Sequence, residues 1–142
     1  MFSLLGSVYG NAWSKPMTDK TALKINLDAA QKAVDHWIRL SACMTPEQVH
    51  SEGYHCDSCA FCNLYYNCVG CDCVGCPIYA RTGEDGCYGT PYHQANISLE
   101  EFCDNYDDPD YEWTDEDQAN VEAQVRFLES IRDELAEAYE TV

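Results

Sequence analysis

Apolar residues recur at helical spacing in two parts of the chain, one near each end. The first part covers roughly residues 20–43, where Lys32, Asp35 and Arg39 lie opposite a mostly apolar stripe. This stripe consists of Leu27, Ala30, Val34, Trp37, Ile38 and Ser41. The second part follows Thr114, and its stripe consists of Val121, Val125, Leu128, Ile131, Leu135 and Tyr139. The pattern predicts two long amphipathic helices that pair with each other.

Helix-start signals place three boundaries between and within these parts. Thr45 followed by Pro46 predicts an N-cap and a short helix that ends near Gly53. Ser98 and Glu101 form a capping-box pattern, which predicts a short helix over about residues 99–105. Thr114, followed by three acidic residues, predicts the start of the final helix.

Glycine and proline break up the middle of the chain, so we expect short turns and loops there. The predicted fold is mainly α, with two longer helices and short helices packed around a Cys-rich metal-binding loop region, and little or no sheet. Residues 1–142 form a single domain in this interpretation. It divides into an irregular arm (1–17), a helical part (18–53), a Cys-rich metal-binding part (54–95) and an acidic helical part (96–142).

Cysteines are concentrated in the middle part. Seven of the ten lie between Cys56 and Cys76, mostly as C-x-x-C pairs. A pair with this spacing can present two thiolates to one ion, and two pairs complete a tetrahedral structural zinc site. We therefore expect one or two structural Zn²⁺ ions, with an iron–sulfur cluster and disulfides as alternatives.

The N-terminal residues carry no positive charge before a short apolar stretch, which is atypical of a signal peptide. No later stretch is long and apolar enough to suggest a membrane span. We therefore expect a cytoplasmic protein without membrane contact, whose thiols stay reduced and free to bind metal.

A series of short motifs carries a resemblance to a known group. The motifs are Cys59-x-x-Cys62, Cys73-Val-Gly-Cys76-Pro77-Ile78, Thr82-Gly83, Cys87, Thr90-Pro91-Tyr92 and a later Phe127-Leu128. The series resembles small, uncharacterised Cys-rich proteins of tailed bacteriophages. That resemblance implies a zinc-binding loop region and a phage or prophage origin, and it implies no activity.

The resemblance suggests which thiols bind the first ion: Cys59, Cys62, Cys76 and Cys87. This chain adds Cys56 and a second Cys-Val-Gly-Cys knuckle, and these thiols suggest a second ion. Its ligands would be Cys56, Cys68, Cys71 and Cys73, although the assignment of Cys73 and Cys76 between the two ions stays open. His55 and His93 could each replace a thiolate, whereas Cys43 and Cys103 are interpreted as core cysteines.

Negative charge is concentrated at the C-terminal end. The chain has a formal net charge of −17, and residues 99–142 account for −14 of it. Binding to a phosphate backbone depends on Lys and Arg, so direct nucleic-acid binding is disfavoured. An acidic, aromatic stretch within residues 100–117 is instead predicted to bind a partner protein. Its candidate residues are Phe102, Tyr106, Asp107, Asp108, Asp110, Tyr111, Glu112 and Trp113.

These observations favour an accessory protein that binds a host or phage protein with a basic surface. The sequence contains no nucleophile–base arrangement and no phosphate-binding loop, so we do not expect an enzyme. Three alternatives stay open: a DNA-mimic inhibitor of a host nucleic-acid-binding or defence protein, an iron–sulfur redox protein and a phage structural component. The apolar side chains of residues 1–17 leave an oligomer possible.

Overall fold

The computed structural model describes residues 19–55, 58–65 and 75–142 of the 142-residue chain. The predicted N-terminal arm lies outside the described residues, and so do Cys56, Cys68, Cys71 and Cys73. The expectations about the arm and the second metal site therefore stay predictions.

All regular structure in the described residues is helical, which confirms the prediction of a mainly α fold. The described ranges contain six α-helices: α1 (Lys20–Ser41), α2 (Pro46–Glu52), α3 (Ala60–Tyr65), α4 (Pro77–Thr82), α5 (Tyr92–Asn105) and α6 (Asp115–Thr141). A short 3₁₀ turn, Asp85–Cys87, lies between α4 and α5. None of the helices in the described ranges is long and apolar enough to cross a membrane.

Capping side chains fix the starts of α1, α2 and α6. Asp19 accepts hydrogen bonds from the backbone N–H groups of Thr21 and Ala22 at the start of α1. Thr45 caps α2 by accepting from the N–H of Gln48, and Pro46 occupies the first helical turn, as predicted. Thr114 and Asp117 form a complete capping box at α6, which also confirms the predicted start of that helix.

Helices α1 and α6 share the most extensive helix–helix contact among the described elements, as the two predicted stripes require. Their buried faces form the centre of the core, to which α5 adds Ala95 and Leu99. The fully buried aliphatic residues include Leu23, Val34, Leu40, Val121, Leu128, Ile131 and Leu135. Apolar burial of this kind is the main driving force for the pairing.

Helix α5 is much longer than the predicted helix of residues 99–105. It begins at Tyr92, and Ser98 lies inside it as a buried residue rather than at its N-cap. The Ser98 hydroxyl donates to Asp117 Oδ1 at 2.8 Å and accepts from Asn120 Nδ2 at 3.1 Å. The predicted capping box at Ser98 is therefore wrong, because the hydroxyl bonds across to α6 instead of to its own helix start.

Two polar contacts attach the short helices to the long ones. Tyr65, the last residue of α3, donates from its hydroxyl to the buried Asn26 of α1. Arg81 on α4 pairs with Glu134 of α6, and its guanidinium lies 5.4 Å from the ring centre of Phe127. These contacts hold α3 and α4 against the α1–α6 pair and so position the cysteines that they carry.

Candidate metal centre and partner surface

Four cysteines from three separate elements line one small cavity. Cys59 directly precedes α3, Cys62 lies within it, Cys76 is the N-cap residue of α4, and Cys87 ends the 3₁₀ turn. All four line a cavity of about 10 Å³. These are the thiols that the resemblance implied for the first ion, and the fold brings them to a common place from positions up to 28 residues apart.

The surroundings of this cavity are mostly apolar. Phe61 and Ile78 are buried beside the thiols, and the rings of Tyr65 and Tyr79 complete much of the wall. The side chain of Glu84 also lines it. A cavity of this size accepts about one atom the size of water, so it suits a single ion better than an organic ligand.

The surroundings of the Cys59 thiol favour its ionisation. A hydrogen bond from the Cys62 thiol lowers the pKa of Cys59 to about 7, and backbone N–H groups of Phe61 and Cys62 act in the same direction. These effects outweigh burial, which opposes them. Since a metal binds the thiolate form, Cys59 has the electrostatic character of a ligand.

Cys87 has an unusual backbone conformation. Its φ is +62°, in the left-handed region that residues other than glycine rarely adopt, and it follows Gly86, whose φ is +69°. The Thr90 hydroxyl donates to the Cys87 carbonyl oxygen at 2.7 Å. Backbone strain of this kind is found most often at functional sites, where the surrounding structure maintains it.

The four side chains are not arranged as a closed coordination shell. Within the described ranges, no group of three or more His, Cys, Asp or Glu side chains is placed to hold a metal ion. The described residues therefore show a shared cavity lined by four cysteines and not a preformed metal site.

Cys43 and Cys103 differ from Cys59 in the direction of their pKa shifts, in line with their interpretation as core cysteines. Both pack partly buried against the core. Burial raises the pKa of each thiol, and nearby carboxylates, Glu52 for Cys43 and Asp104 for Cys103, raise it further. The Cys43 thiol donates to the Arg39 carbonyl oxygen at 3.3 Å. Both thiols are thus held in the protonated form that binds metal poorly.

The two candidate histidines lie beside the four-cysteine cavity. His93 stacks on Tyr88 with ring centroids 4.5 Å apart, and its Nε2 is 3.0 Å from the Gly86 carbonyl oxygen. His55 packs against the ring of Tyr54 at 4.4 Å. Both line a neighbouring cavity that also includes Cys59, Cys62 and Cys87.

The acidic, aromatic stretch forms the end of α5 and the loop to α6. Phe102 lies at the centre of an aromatic cluster, with ring centroids 5.3 Å from Tyr106, 6.5 Å from Tyr111 and 5.5 Å from Trp113. Tyr106 is the most exposed of these rings, whereas the other three are half-buried. The predicted acidic residues are all exposed: Asp107, Asp108, Asp110 and Glu112.

A groove that the sequence did not predict lies beside this cluster. It has a volume of about 330 Å³, and Phe102 and Trp113 form one side of it. The other side comes from the end of α1, the loop after it and α2, and includes Met44, whose side chain is 77% exposed. In the sequence, Met44 directly before the Thr45 cap is a signal that could have indicated this groove.

Comparison with protein-family models, with curated proteins and with solved structures gives no match for this chain. The resemblance to Cys-rich phage proteins accordingly stays a prediction.

Proposed function

We propose that this protein acts by binding a partner protein with a basic surface, and that a structural metal ion stabilises its Cys-rich part. One observation supports the binding role above all: an exposed acidic loop lies next to an apolar groove lined by Phe102, Trp113 and Met44. Flexible methionines and half-buried aromatic rings are typical of surfaces that receive an apolar side chain.

Charge and shape have separate roles in this proposal. The carboxylates of the loop attract a basic partner and orient it during encounter. The groove then buries an apolar side chain of the partner, which gives the contact its lifetime. The partner chemistry that fits is an amphipathic segment with Lys or Arg on one face and a large apolar residue on the other.

A designed peptide tests the binding role. The probe is a helical peptide with leucine on one face and lysine on the other, and its control has the same composition in permuted order. We expect the patterned peptide to bind more tightly, with an affinity that falls as salt concentration rises. Met44→Asp should weaken binding at least tenfold. Equal binding of both peptides by wild type, together with no effect of Met44→Asp, would contradict the proposal.

The metal part of the proposal assigns Zn²⁺ to Cys59, Cys62, Cys76 and Cys87. Four sulfur ligands leave no open coordination position, so the ion would stabilise the fold without taking part in a reaction. The convergence of four cysteines from three separate elements on one cavity supports this assignment, as does the lowered pKa of Cys59. The proposal places the protein in the cytosol, where thiols remain reduced.

Elemental mass spectrometry of protein purified without a metal-affinity tag tests the metal assignment. We expect at least one zinc per chain, and Cys76→Ser should lower the content by about one ion. Cys103→Ser is the matched control and should leave the content unchanged. Iron with sulfide would favour the redox alternative, and metal-free protein with intact folding would overturn the assignment.

A further inference from the structure

The side chains of Cys59 and Cys62 contact each other directly. The Cys62 thiol donates a hydrogen bond to the Cys59 sulfur, and the backbone N–H groups of Phe61 and Cys62 donate to the same sulfur. Cys59 directly precedes α3, and its carbonyl oxygen accepts from the N–H of Asn63 at 3.0 Å, so the two cysteines lie on one helical turn. Among the described residues, these two thiols are therefore arranged as a pair and not as part of a coordination shell.

Both residues of the pair line the larger neighbouring cavity as well as the four-cysteine cavity. The larger cavity is partly enclosed and has a volume of about 250 Å³. Cys59 and Cys62 are each partly exposed, whereas Cys76 is 6% exposed and lines only the smaller of the two cavities. The larger cavity therefore offers a small reagent a route to the pair that it does not offer to Cys76.

A disulfide between Cys59 and Cys62 requires only a small local movement. Residues three apart on a helical turn are neighbours, with Cβ atoms about 5–6 Å apart, and a disulfide holds its Cβ atoms about 3.5–4.5 Å apart. The turn therefore has to close by roughly 1–2 Å. A disulfide formed in this way stores strain and is readily reduced again, which is the character of regulatory disulfides rather than structural ones.

We propose that Cys59 and Cys62 form a redox-active pair that exchanges with small-molecule disulfides of the glutathione type. Cys59 attacks first, because its sulfur accepts the hydrogen bonds of the pair. A bond forms between Cys59 and one sulfur of the small disulfide, the disulfide bond breaks, and the other half leaves as a thiolate.

The second step closes the pair. Cys62 attacks the Cys59 sulfur of the mixed disulfide, the Cys59–Cys62 bond forms, and the second half of the small molecule leaves as a thiolate. The two protein thiols lose two electrons in total, and their two protons pass to the departing thiolates. The small disulfide is thereby reduced to two thiols.

Oxidation of the pair regulates the proposed metal site. This consequence rests on the proposed metal function, in which Cys59 and Cys62 supply two of the four sulfur ligands. Sulfur atoms joined in a disulfide no longer bind an ion as thiolates, so oxidation releases the ion and destabilises the Cys-rich part. In a reducing cytosol the strained disulfide is reduced, and the site responds only when small disulfides accumulate.

Disulfide mapping of the full chain tests the inference. Protein purified in reductant and without a metal-affinity tag is freed of reductant and treated with oxidised glutathione. Samples are quenched with acid at timed intervals, alkylated, digested and mapped by mass spectrometry, while an indicator dye reports released zinc. We expect the Cys59–Cys62 disulfide to form at least about tenfold faster than Cys43 or Cys103 is modified, because those two cysteines do not line the larger cavity. Zinc release should follow the same time course.

Cys62→Ser and Cys103→Ser form a matched pair of variants. Cys62→Ser keeps a hydroxyl donor beside Cys59 but removes the sulfur that resolves the mixed disulfide. We expect this variant to stop after the first step, with one glutathionyl group attached to Cys59. Cys103→Ser should form the Cys59–Cys62 disulfide at the wild-type rate.

The outcomes separate failure of this inference from failure of the metal assignment. The inference is overturned if Cys59 and Cys62 stay reduced while other thiols are modified, or if Cys59 pairs with Cys76 or Cys87 as readily as with Cys62. Zinc-bound protein whose pair resists oxidation would contradict the inference and leave the metal assignment intact. Protein that contains no metal but forms the Cys59–Cys62 disulfide would support the redox pair and contradict the metal assignment. Where Cys62→Ser does not fold, the wild-type map decides.

Discussion

Asp117 shows how a single side chain connects two helices. Its Oδ2 accepts from the backbone N–H and the hydroxyl of Thr114, both at 3.0 Å, and its Oδ1 accepts from Ser98 on α5. Partial burial acts to raise the pKa of Asp117, but the hydrogen bonds from Thr114 and Ser98 outweigh it and lower the pKa. The carboxylate form therefore stabilises both the start of α6 and its contact with α5.

Replacing Asp117 by Asn should destabilise the fold in a pH-dependent way. We expect Asp117→Asn to lower the free energy of unfolding by about 1–2 kcal/mol at pH 7. Because the pKa is lower in the folded state, the stabilisation is present above the unfolded pKa and is lost as pH falls through the folded value. The difference between wild type and variant should therefore shrink below about pH 4.

Urea denaturation of both proteins across this pH range measures the effect. Asp115→Asn is the control, because it removes the same charge from the first turn of the same helix and Asp115 is exposed. If Asp117→Asn lowers the free energy of unfolding by the same amount from pH 7 to pH 3, the carboxylate form has no special role.

Among the elements, α1 and α6 provide the packing on which the rest depends. Each helix presents an apolar stripe to the other, while most of its own exposed charged residues lie on its outer face. The stripe of α6 also contains Gln124, which is buried where the sequence pattern favoured Val125. The pairing itself therefore rests on the aliphatic residues on either side of that position.

Truncation of one of these buried aliphatic side chains should lower the free energy of unfolding. Leu128 is 1% exposed, and Leu128→Ala should lower the free energy of unfolding by about 2–5 kcal/mol, because it leaves a cavity between the helices. Ile38 on α1 is 45% exposed, and Ile38→Ala should change stability by no more than about 0.5 kcal/mol. Thermal or urea denaturation followed by circular dichroism distinguishes the two variants, and equal effects would contradict this view of the core.

At the scale of the whole molecule, the helical pair and the Cys-rich part have different sources of stability. The pair buries an aliphatic core, whereas α3 and α4 are six residues each and too short to be stable alone. On the proposed metal assignment, ion binding supplies folding free energy for this part, on the order of 10 kcal/mol for a structural zinc site.

Removal of the metal should therefore unfold the Cys-rich part before the α1–α6 pair. We expect a strong chelator to increase the reactivity of Cys59, Cys62, Cys76 and Cys87 towards a thiol reagent, while most of the helical circular dichroism signal remains. Excess Zn²⁺ added with the chelator is the control and should prevent the change. Unchanged thiol reactivity after chelation would contradict a stabilising metal.

Local signals account for what the sequence predicted correctly. The caps at Thr45 and Thr114 act between residues no more than three apart, so their geometry follows from the local sequence alone. The two long helices were equally predictable, since their apolar stripes repeat over many turns. The four cysteines named for the first ion share a cavity, but their grouping came from a resemblance rather than from spacing.

The errors and omissions involve contacts between distant residues. Ser98 carries a valid capping-box pattern, yet its hydroxyl bonds to Asp117 and Asn120 on α6, so α5 continues through it. His36, Asn96 and Gln124 come from three helices and line one cavity, and nothing in their separate sequence neighbourhoods indicates that they meet.

The sequence by itself thus determined the helical class, the main helix boundaries and the concentration of negative charge near the C-terminus, because propensity, periodicity and composition are local properties. Only the tertiary structure decided which polar groups meet. It placed four thiols around one cavity, aromatic and polar side chains around another, and an apolar groove beside the acidic loop. The physical reason is that packing of α1 against α6 and α5 fixes these distances, and packing depends on the whole chain at once.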